Sequence, residues 1–267
     1  MEDPIWIAVY AAAAMAGGCW VLSLLYGEYS WVDRLWSLAP PLYAAWFCYA
    51  GDFSPRLVLM AVLITLWGAR LTYNFARKGG YAPGGEDYRW AVMRSKMGAV
   101  TWQLFNVGFI CIFQHALILG FTLPVAMALQ QEPSPLGAAD VVVAGALLLL
   151  LTGETIADQQ QWRFQCAKKA KIARGEPVTR QFVTTGLFRY CRHPNFFCEM
   201  GIWWMVYALS ITAGAPWINP SIAGVVALTG VFMGSTPLTE SITRRKYPEY
   251  AEYQRTTSRL IPWFPAR

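Results

Sequence analysis

Charge is what this chain has least of: Asp, Glu, Lys and Arg make up 14% of its 267 residues, against 55% hydrophobic side chains. With a mean hydropathy of +0.31, that is too little polar material to cover a soluble domain of this length, and it points to a polytopic membrane protein. Histidine is nearly absent, with His115 and His193 alone. The six cysteines, Cys19, Cys48, Cys111, Cys166, Cys191 and Cys198, include no CxxC pair. Neither a metal centre nor a disulfide framework is therefore expected. No GxGxxG follows a strand pattern and no GxxxxGK[ST] occurs. Rossmann and P-loop phosphate binding are excluded, and any nucleotide has to lie between helices and basic loops. No internal repeat, low-complexity tract or second domain is visible, so residues 1–267 read as one integral membrane domain. The start, Met1-Glu2-Asp3, lacks a basic n-region, so the first apolar run is expected to be a retained span and not a cleaved signal.

What the chain has is long apolar segments. A span needs about 20 apolar residues, fewer where neighbours shelter it. Segments near 5–26, 36–50, 57–76, 99–127, 138–157, 196–213 and 219–239 qualify. The second is broken by Pro40-Pro41, and the fourth is long enough to tilt or to hold an interfacial turn. The expected fold class is all-α, with seven transmembrane helices and termini on opposite sides. Lys and Arg fall almost wholly in one set of loops: Arg34, then five in 77–98, eight in 158–193 and six in 240–267, with only Arg56 in the alternate set. Positive loops face the cytosol, which puts the C-terminus there and the N-terminus outside. Basic residues placed between spans fit membrane orientation and an anionic ligand, so no nucleic-acid partner is expected despite the net charge of +6.

The polar exceptions to the apolar pattern carry the chemistry. The densest stretch is Gly186 to Glu199, GLFRYCRHPNFFCE, where Pro194 suits the first turn of a helix and sets Asn195 and Glu199 one turn apart on one face. Arg192 and His193 stand at that helix mouth. Asp33 precedes the second span; Arg70 and Asn74 are one turn apart in the third; Glu154 and Asp158 are one turn apart at the end of the fifth. An intramembrane Arg is expected to face the bundle interior and meet an acid or an anionic ligand, so Arg70 reads either as a helix-pinning ion pair or as part of a polar cavity. The glycine-rich loop 77–98 leads into Asp87, Arg89 and Trp90, either an interfacial helix or a flap over a cytosolic cofactor. In the tail, Arg244, Tyr247 and Tyr250 belong to a basic and aromatic run that suits a stacked base with phosphates, or anionic lipid. Asp158 begins a polar continuation of the fifth helix that Gly175 and Pro177 end. His115, in an apolar stretch, is expected to be a satisfied core histidine.

GLFRYCRHPNFFCE and the tail EYAEYQRTTSRLIP, together with SWVDRLWS, WGARLTYN and the EDYRW loop, resemble the steroid 5α-reductase family of membrane proteins over nearly the whole chain. A similar RHPxYxxE-like segment runs through sterol reductases and isoprenylcysteine or phospholipid methyltransferases. The resemblance implies NADPH-dependent reduction of the carbon–carbon double bond of a 4-ene-3-one steroid or similar lipid by a bacterial inner-membrane protein, a monomer with its active site facing the cytosol. It places Asn195 near the nicotinamide amide, Glu199 in the polar network of the cofactor site, and Arg70, Asn74, Asp158 and Tyr247 on other parts of the dinucleotide. Asp33 falls where the reductases have an acid at the substrate ketone; Val32-Asp33 replaces the Gln-Glu pair of animal members, and Trp67 replaces a tyrosine. Asp33, Trp67 and Glu199 are thus the candidate catalytic residues. An S-adenosylmethionine-dependent membrane methyltransferase is the alternative.

Overall fold

The computed structural model describes residues 3–266, so Met1, Glu2 and Arg267 lie outside the described residues, and with them two of the three residues of the start discussed above. Every regular element among the described residues is helical. The chain divides into two compact units, Met1–Ala144 with Val206–Ala227, and Gly145–Met205 with Leu228–Arg267.

The first unit opens with α1 (Pro4–Tyr26), whose start is capped by the Asp3 carboxylate on the Ile5 N–H at 2.9 Å. A single-turn α2 (Trp31–Leu35) and α3 (Ala39–Ala50) follow, then α4 (Pro55–Arg77), which packs on α3, and the short α5 (Tyr88–Arg94). Next come α6 (Ala99–Phe105), a π-helical stretch (Asn106–Phe113), α7 (Gln114–Thr122) and α8 (Pro124–Leu129). The long fourth apolar segment thus contains a π-helical stretch and a proline break. Three long helices, α9 (Ala138–Ala173), α10 (Pro194–Thr212) and α11 (Ile222–Lys246), have residues in both units. The second unit adds a 3-10 turn (Gly186–Arg189) and α12 (Tyr250–Thr256).

Five of these segments are long and apolar enough to cross a membrane: Pro4–Tyr26, Pro55–Arg77, Ala99–Leu129, Ala138–Ala173 and Ile222–Lys246. The other two expected spans are also helices, but they differ from the five. With 12 residues α3 is only about 18 Å long, and the 19-residue α10 carries Asn195, Glu199 and Ser210 along its length.

Burial is arranged for lipid and not for water. On α1 the small residues Ala8, Ala12, Ala16, Cys19 and Ser23 are buried, while Trp6, Tyr10, Trp20, Leu25 and Tyr26 are exposed. Small residues let helices approach closely, and exposed aromatics near both ends mark the two interfaces of a bilayer. On α9 the same inversion is sharper: Asp140, Glu154 and Asp158 are buried, whereas Val141, Val142 and Leu149 are about 70% exposed. A helix that hides carboxylates and shows leucine is a membrane helix.

Within the first unit, α7 and α11 cross at Gly120 and Gly224. A Cβ added to Gly224 would lie 2.0 Å from the Gly120 carbonyl carbon, a backbone atom that cannot step aside. Gly224→Ala is expected to destabilise by about 2 kcal/mol, the scale of overpacking, despite alanine's better helix propensity. Gly230 has open space around its Cβ position. Thermal unfolding in detergent checks this; a Gly224→Ala protein as stable as Gly230→Ala would refute the close crossing.

Candidate functional site

In the first unit the predicted acid lies beneath a strap. Gly27, in the left-handed region, stops α1, and the chain turns into Glu28, Tyr29 and Ser30 ahead of α2. These residues meet the glycine-rich loop by reciprocal contacts. Glu28 accepts from the Gly84 N–H at 3.0 Å and from Arg34 Nη2 at 2.8 Å, and Glu86 accepts from the Tyr29 N–H at 2.7 Å. The Ser30 hydroxyl accepts from the Asp87 N–H at 3.0 Å, and Tyr81 donates to the Arg34 carbonyl at 3.3 Å. The Gly84 N–H, with Arg34 behind it, holds the Glu28 carboxyl below its ordinary range. Gly84, whose N–H meets Glu28, takes a φ of 76°, a left-handed conformation that favours glycine.

Asp87 caps α5 through the Arg89 N–H at 2.8 Å and chelates the same residue's guanidinium, with Nη2 at 2.6 Å. Two of the predicted cofactor contacts therefore pair with each other, and the cap starts the helix that delivers Trp90. Trp90 is buried, and its Nε1 donates to Asp33 Oδ2 at 3.2 Å. Phe105 sits against Trp90, and the rings of Trp102, Phe105, Phe109 and Phe113 stack in series along the neighbouring segment. Burial pushes the Asp33 carboxyl up to about 6, against the opposing pull of hydrogen bonds from Ser30 and Trp90. By sequence Trp90 reads as part of an interfacial helix or of a flap over a cofactor; the structure sets it against this acid instead.

Trp67 is fully buried on α4, Asn74 is buried two turns on along the same face, and Arg70 is half-buried. The Asn74 carbonyl oxygen accepts from Arg77 Nη2 at 2.7 Å and Nε at 3.0 Å. A polar chain also crosses the apolar core: Asn106 donates to the Ser23 hydroxyl at 2.8 Å, and His115 Nδ1 donates to the Cys111 carbonyl at 2.7 Å. That leaves His115 Nε2 as the acceptor facing Cys19 Sγ at 3.8 Å, so His115 is the satisfied core histidine expected. An apolar cavity of about 350 Å³ is walled by Met15, Cys19 and Leu22 of α1 and by Trp31, Arg34, Leu35 and Leu38. Asp33 is not in its wall.

In the second unit, Gly186 takes a φ of +66° and lies so close to the Gln160 amide that any side chain would collide with it. Gln160 in turn accepts from the Leu187 N–H at 2.9 Å, which fixes the 3-10 turn ahead of the basic run. Glu240 of α11 gathers that run. Its carboxylate accepts from Arg192 Nε at 2.7 Å and Nη2 at 3.1 Å, His193 Nε2 at 2.9 Å, Gln254 Nε2 at 2.8 Å and, at 3.4 Å, the Tyr250 hydroxyl. Arg192 Nη1 also donates to the Gln254 carbonyl at 3.0 Å and to the Thr257 carbonyl. The tail lies along the same stretch, with the Arg192 N–H on the Ser258 carbonyl at 2.9 Å and the Trp263 N–H on the Tyr190 carbonyl at 2.9 Å. The structure thus brings Arg192, His193 and Tyr250 together, around an acid that sequence reading did not single out. Only its place at the end of a long apolar run, among threonines, could have signalled Glu240.

Tyr247 is organised differently. Its hydroxyl accepts from Lys168 Nζ at 3.0 Å, Lys246 Nζ stands 5.4 Å from its ring, and Phe182 lies against it and against Tyr250. The Lys168 ammonium draws the Tyr247 hydroxyl below its ordinary range. Among the described residues neither lysine has a carboxylate within ion-pair distance, and Arg244 is exposed nearby in sequence. On α10, Glu199 is buried and accepts from Trp203 Nε1 at 3.0 Å, with Asn195 half-buried one turn before it, and Asp158 is buried on α9. A separate surface pocket of about 460 Å³, walled by Thr184, Arg189, Glu249, Glu252, Tyr253, Thr256, Thr257 and Pro265, contains none of the predicted site residues. No group of metal-ligating side chains is found among the described residues.

Comparison with known proteins places the chain beside a family and a fungal relative. The model of the family described as "Protein of unknown function (DUF1295)" matches residues 19–257. "Uncharacterized protein C594.04c" of Schizosaccharomyces pombe is 36% identical over 276 residues, covering 97% of this chain and 80% of that protein. No solved structure matches.

Proposed function

The chain belongs to the DUF1295 family, and from its geometry we propose that it is an NADPH-dependent membrane reductase acting on the carbon–carbon double bond of a lipid enone, a 4-ene-3-one steroid or a similar ketone. The observation that carries this reading is the Asp33 carboxyl: partly buried, held by the Trp90 N–H, and pushed up to about 6. A carboxyl raised to about 6 is protonated far more often near neutral pH than an ordinary aspartate, and in that form it can give a hydrogen bond to a ketone oxygen. An enone takes a hydride at its β carbon only as that oxygen gains negative charge, and a fixed donor at the oxygen stabilises the charge. A proton taken from water at the α carbon then completes the saturated ketone.

The residues of the second unit fit a nucleotide's phosphates in chemical type. Lys168 and Lys246 flank Tyr247 with no carboxylate at ion-pair distance among the described residues, and Tyr247 and Phe182 add aromatic rings for a base. NADPH, when bound, would supply the hydride. Arg192 and His193 are held by Glu240, so their part is to fix the segment that carries Asn195 and Glu199. The same reading keeps seven crossings, with α3 and α10 as sheltered short ones, the N-terminus outside and the basic loops in the cytosol of a cell whose inner membrane holds the protein. The apolar cavity beside α1, lined by Trp31 and Arg34 but not by Asp33, suits the apolar body of a lipid and not its ketone.

The test is thermal unfolding of the detergent-purified protein with NADPH, NADH, S-adenosylmethionine or no ligand, followed by enone reduction. NADPH is expected to stabilise selectively, because a ligand that binds only the folded state raises its stability. Asp33→Asn is expected to keep that stabilisation and lose about a hundredfold in turnover, the scale of one oxyanion donor. Stabilisation by S-adenosylmethionine alone would move the protein to the methyltransferases and leave Asp33 without this role.

A further inference from the structure

Asp33 has two oxygens, and the structure treats them differently. We propose that Trp90 is a positioning residue for the Asp33 carboxyl: its indole N–H occupies Oδ2, so that Oδ1 is the oxygen that carries the proton and is offered to a ligand. The inference rests on the enone-reductase reading for the use of that proton, but the positioning itself rests on geometry alone.

An indole N–H donates and never accepts, so the oxygen 3.2 Å from Trp90 Nε1 has to be an acceptor in both protonation states. Protonation is thereby directed to the other oxygen. Trp90 can impose this because it is itself held. It is buried, it packs on Phe105 of the stacked ring series, and it stands in the first turn of a helix capped by Asp87. Asp87 in turn is tied to α2's approach by its N–H on the Ser30 hydroxyl at 3.0 Å. The Ser30 hydroxyl, which accepts that bond, also favours the ionised form of the Asp33 carboxyl. The whole strap of residues 80–90 therefore acts through one side chain on one carboxyl. A lipid-facing aromatic anchor would need none of these contacts, and its N–H would turn to the interface.

Other charged groups also face Asp33. Asp87 disfavours its ionised form, Arg89 favours it, and Cys19 of α1 lies close enough to interact. None of them touches Oδ2. Loss of the Trp90 N–H removes a hydrogen bond that favours the carboxylate, so the carboxyl should hold its proton to higher pH.

The experiment is an infrared pH titration of the full-length protein, with Asp33→Asn identifying the Asp33 carboxyl band. In Trp90→Phe, which keeps an aromatic ring against Phe105, the midpoint is expected to rise by about one pH unit, the size of one hydrogen bond to a charged group. Trp90→His, which restores a ring N–H, should return it toward the wild-type value. The falling alkaline limb of enone reduction should move upward by the same amount in Trp90→Phe, an effect that a structural tryptophan would not produce. An unchanged or lowered midpoint in a folded Trp90→Phe protein overturns the proposal, as does failure of both variants to fold, which would make Trp90 purely structural. If no enone is reduced at all, the functional reading fails while the infrared midpoint still decides the role of Trp90.

Discussion

Glu240→Ala is expected to cost the second unit about 3–5 kcal/mol, the penalty of leaving a buried cation without its acid. The reason is the number of donors that lose their acceptor together. The side chains of Arg192 and Glu240 are only 8% and 6% exposed, and His193 and Gln254 share the same carboxylate. Water cannot replace that carboxylate for all of them. The loss should also be local in its first effect. Arg192 holds the carbonyls of Gln254 and Thr257, so the tail from Thr257 onward should become sensitive to limited proteolysis at temperatures where the rest is intact. Glu252→Ala is the comparison: its pair with Arg255 is 61% and 76% exposed and should be worth less than about 1 kcal/mol. Equal melting temperatures for the two variants would show that Glu240 does not hold the tail.

The second large effect is expected at Asp140. Arg56 Nε and Nη2 meet its two oxygens at 2.9 and 2.8 Å, Thr212 donates to it at 2.6 Å and the Gly137 N–H at 2.8 Å. Arg56 also reaches Ser134 Oγ at 2.8 Å and the Pro135 carbonyl at 3.3 Å. One acid thus joins the start of α4, the loop before α9, the start of α9 and the end of α10. Asp140→Ala strands a guanidinium in a nearly closed site and is expected to destabilise by about 3–5 kcal/mol. Removing both charges, with Arg56→Met and Asp140→Leu together, should recover much of that loss, because two apolar side chains need no desolvated partner. Urea or thermal unfolding of the single and double variants decides it. A double variant as weak as the single would mean that the pair's geometry, and not its stranded charge, holds the helices.

Arg56 shows where reading the chain in one dimension ends. By counting, it is the lone positive residue in the alternate loops, an apparent exception to a charge rule. In space it is one half of a buried bidentate pair with a residue 84 positions away. Asp33 and Trp90 are 57 positions apart, and Arg192 and Glu240 are 48. Local patterns report which face of a helix is apolar and where a helix must stop, since those depend on neighbours three or four residues away. They carry no information about which polar residue on one helix meets which on another. The helix start at Pro194, the polar extension of α9 to Ala173 and the satisfied state of His115 are local questions, and the sequence answered them.

The amino-acid sequence by itself determined that this is an all-helical membrane protein with its polar residues gathered into a few short stretches. Low charge, long apolar runs and well-placed Pro and Gly leave the backbone no other way to satisfy its hydrogen bonds in lipid. Only the tertiary structure decided what those polar residues do. It joined Arg192 and His193 to Glu240, paired Asp87 with Arg89, set Lys168 against Tyr247, and brought Trp90 to Asp33. A buried charge takes whatever partner the packing of helices puts within about 3 Å, and packing is set by the whole chain at once.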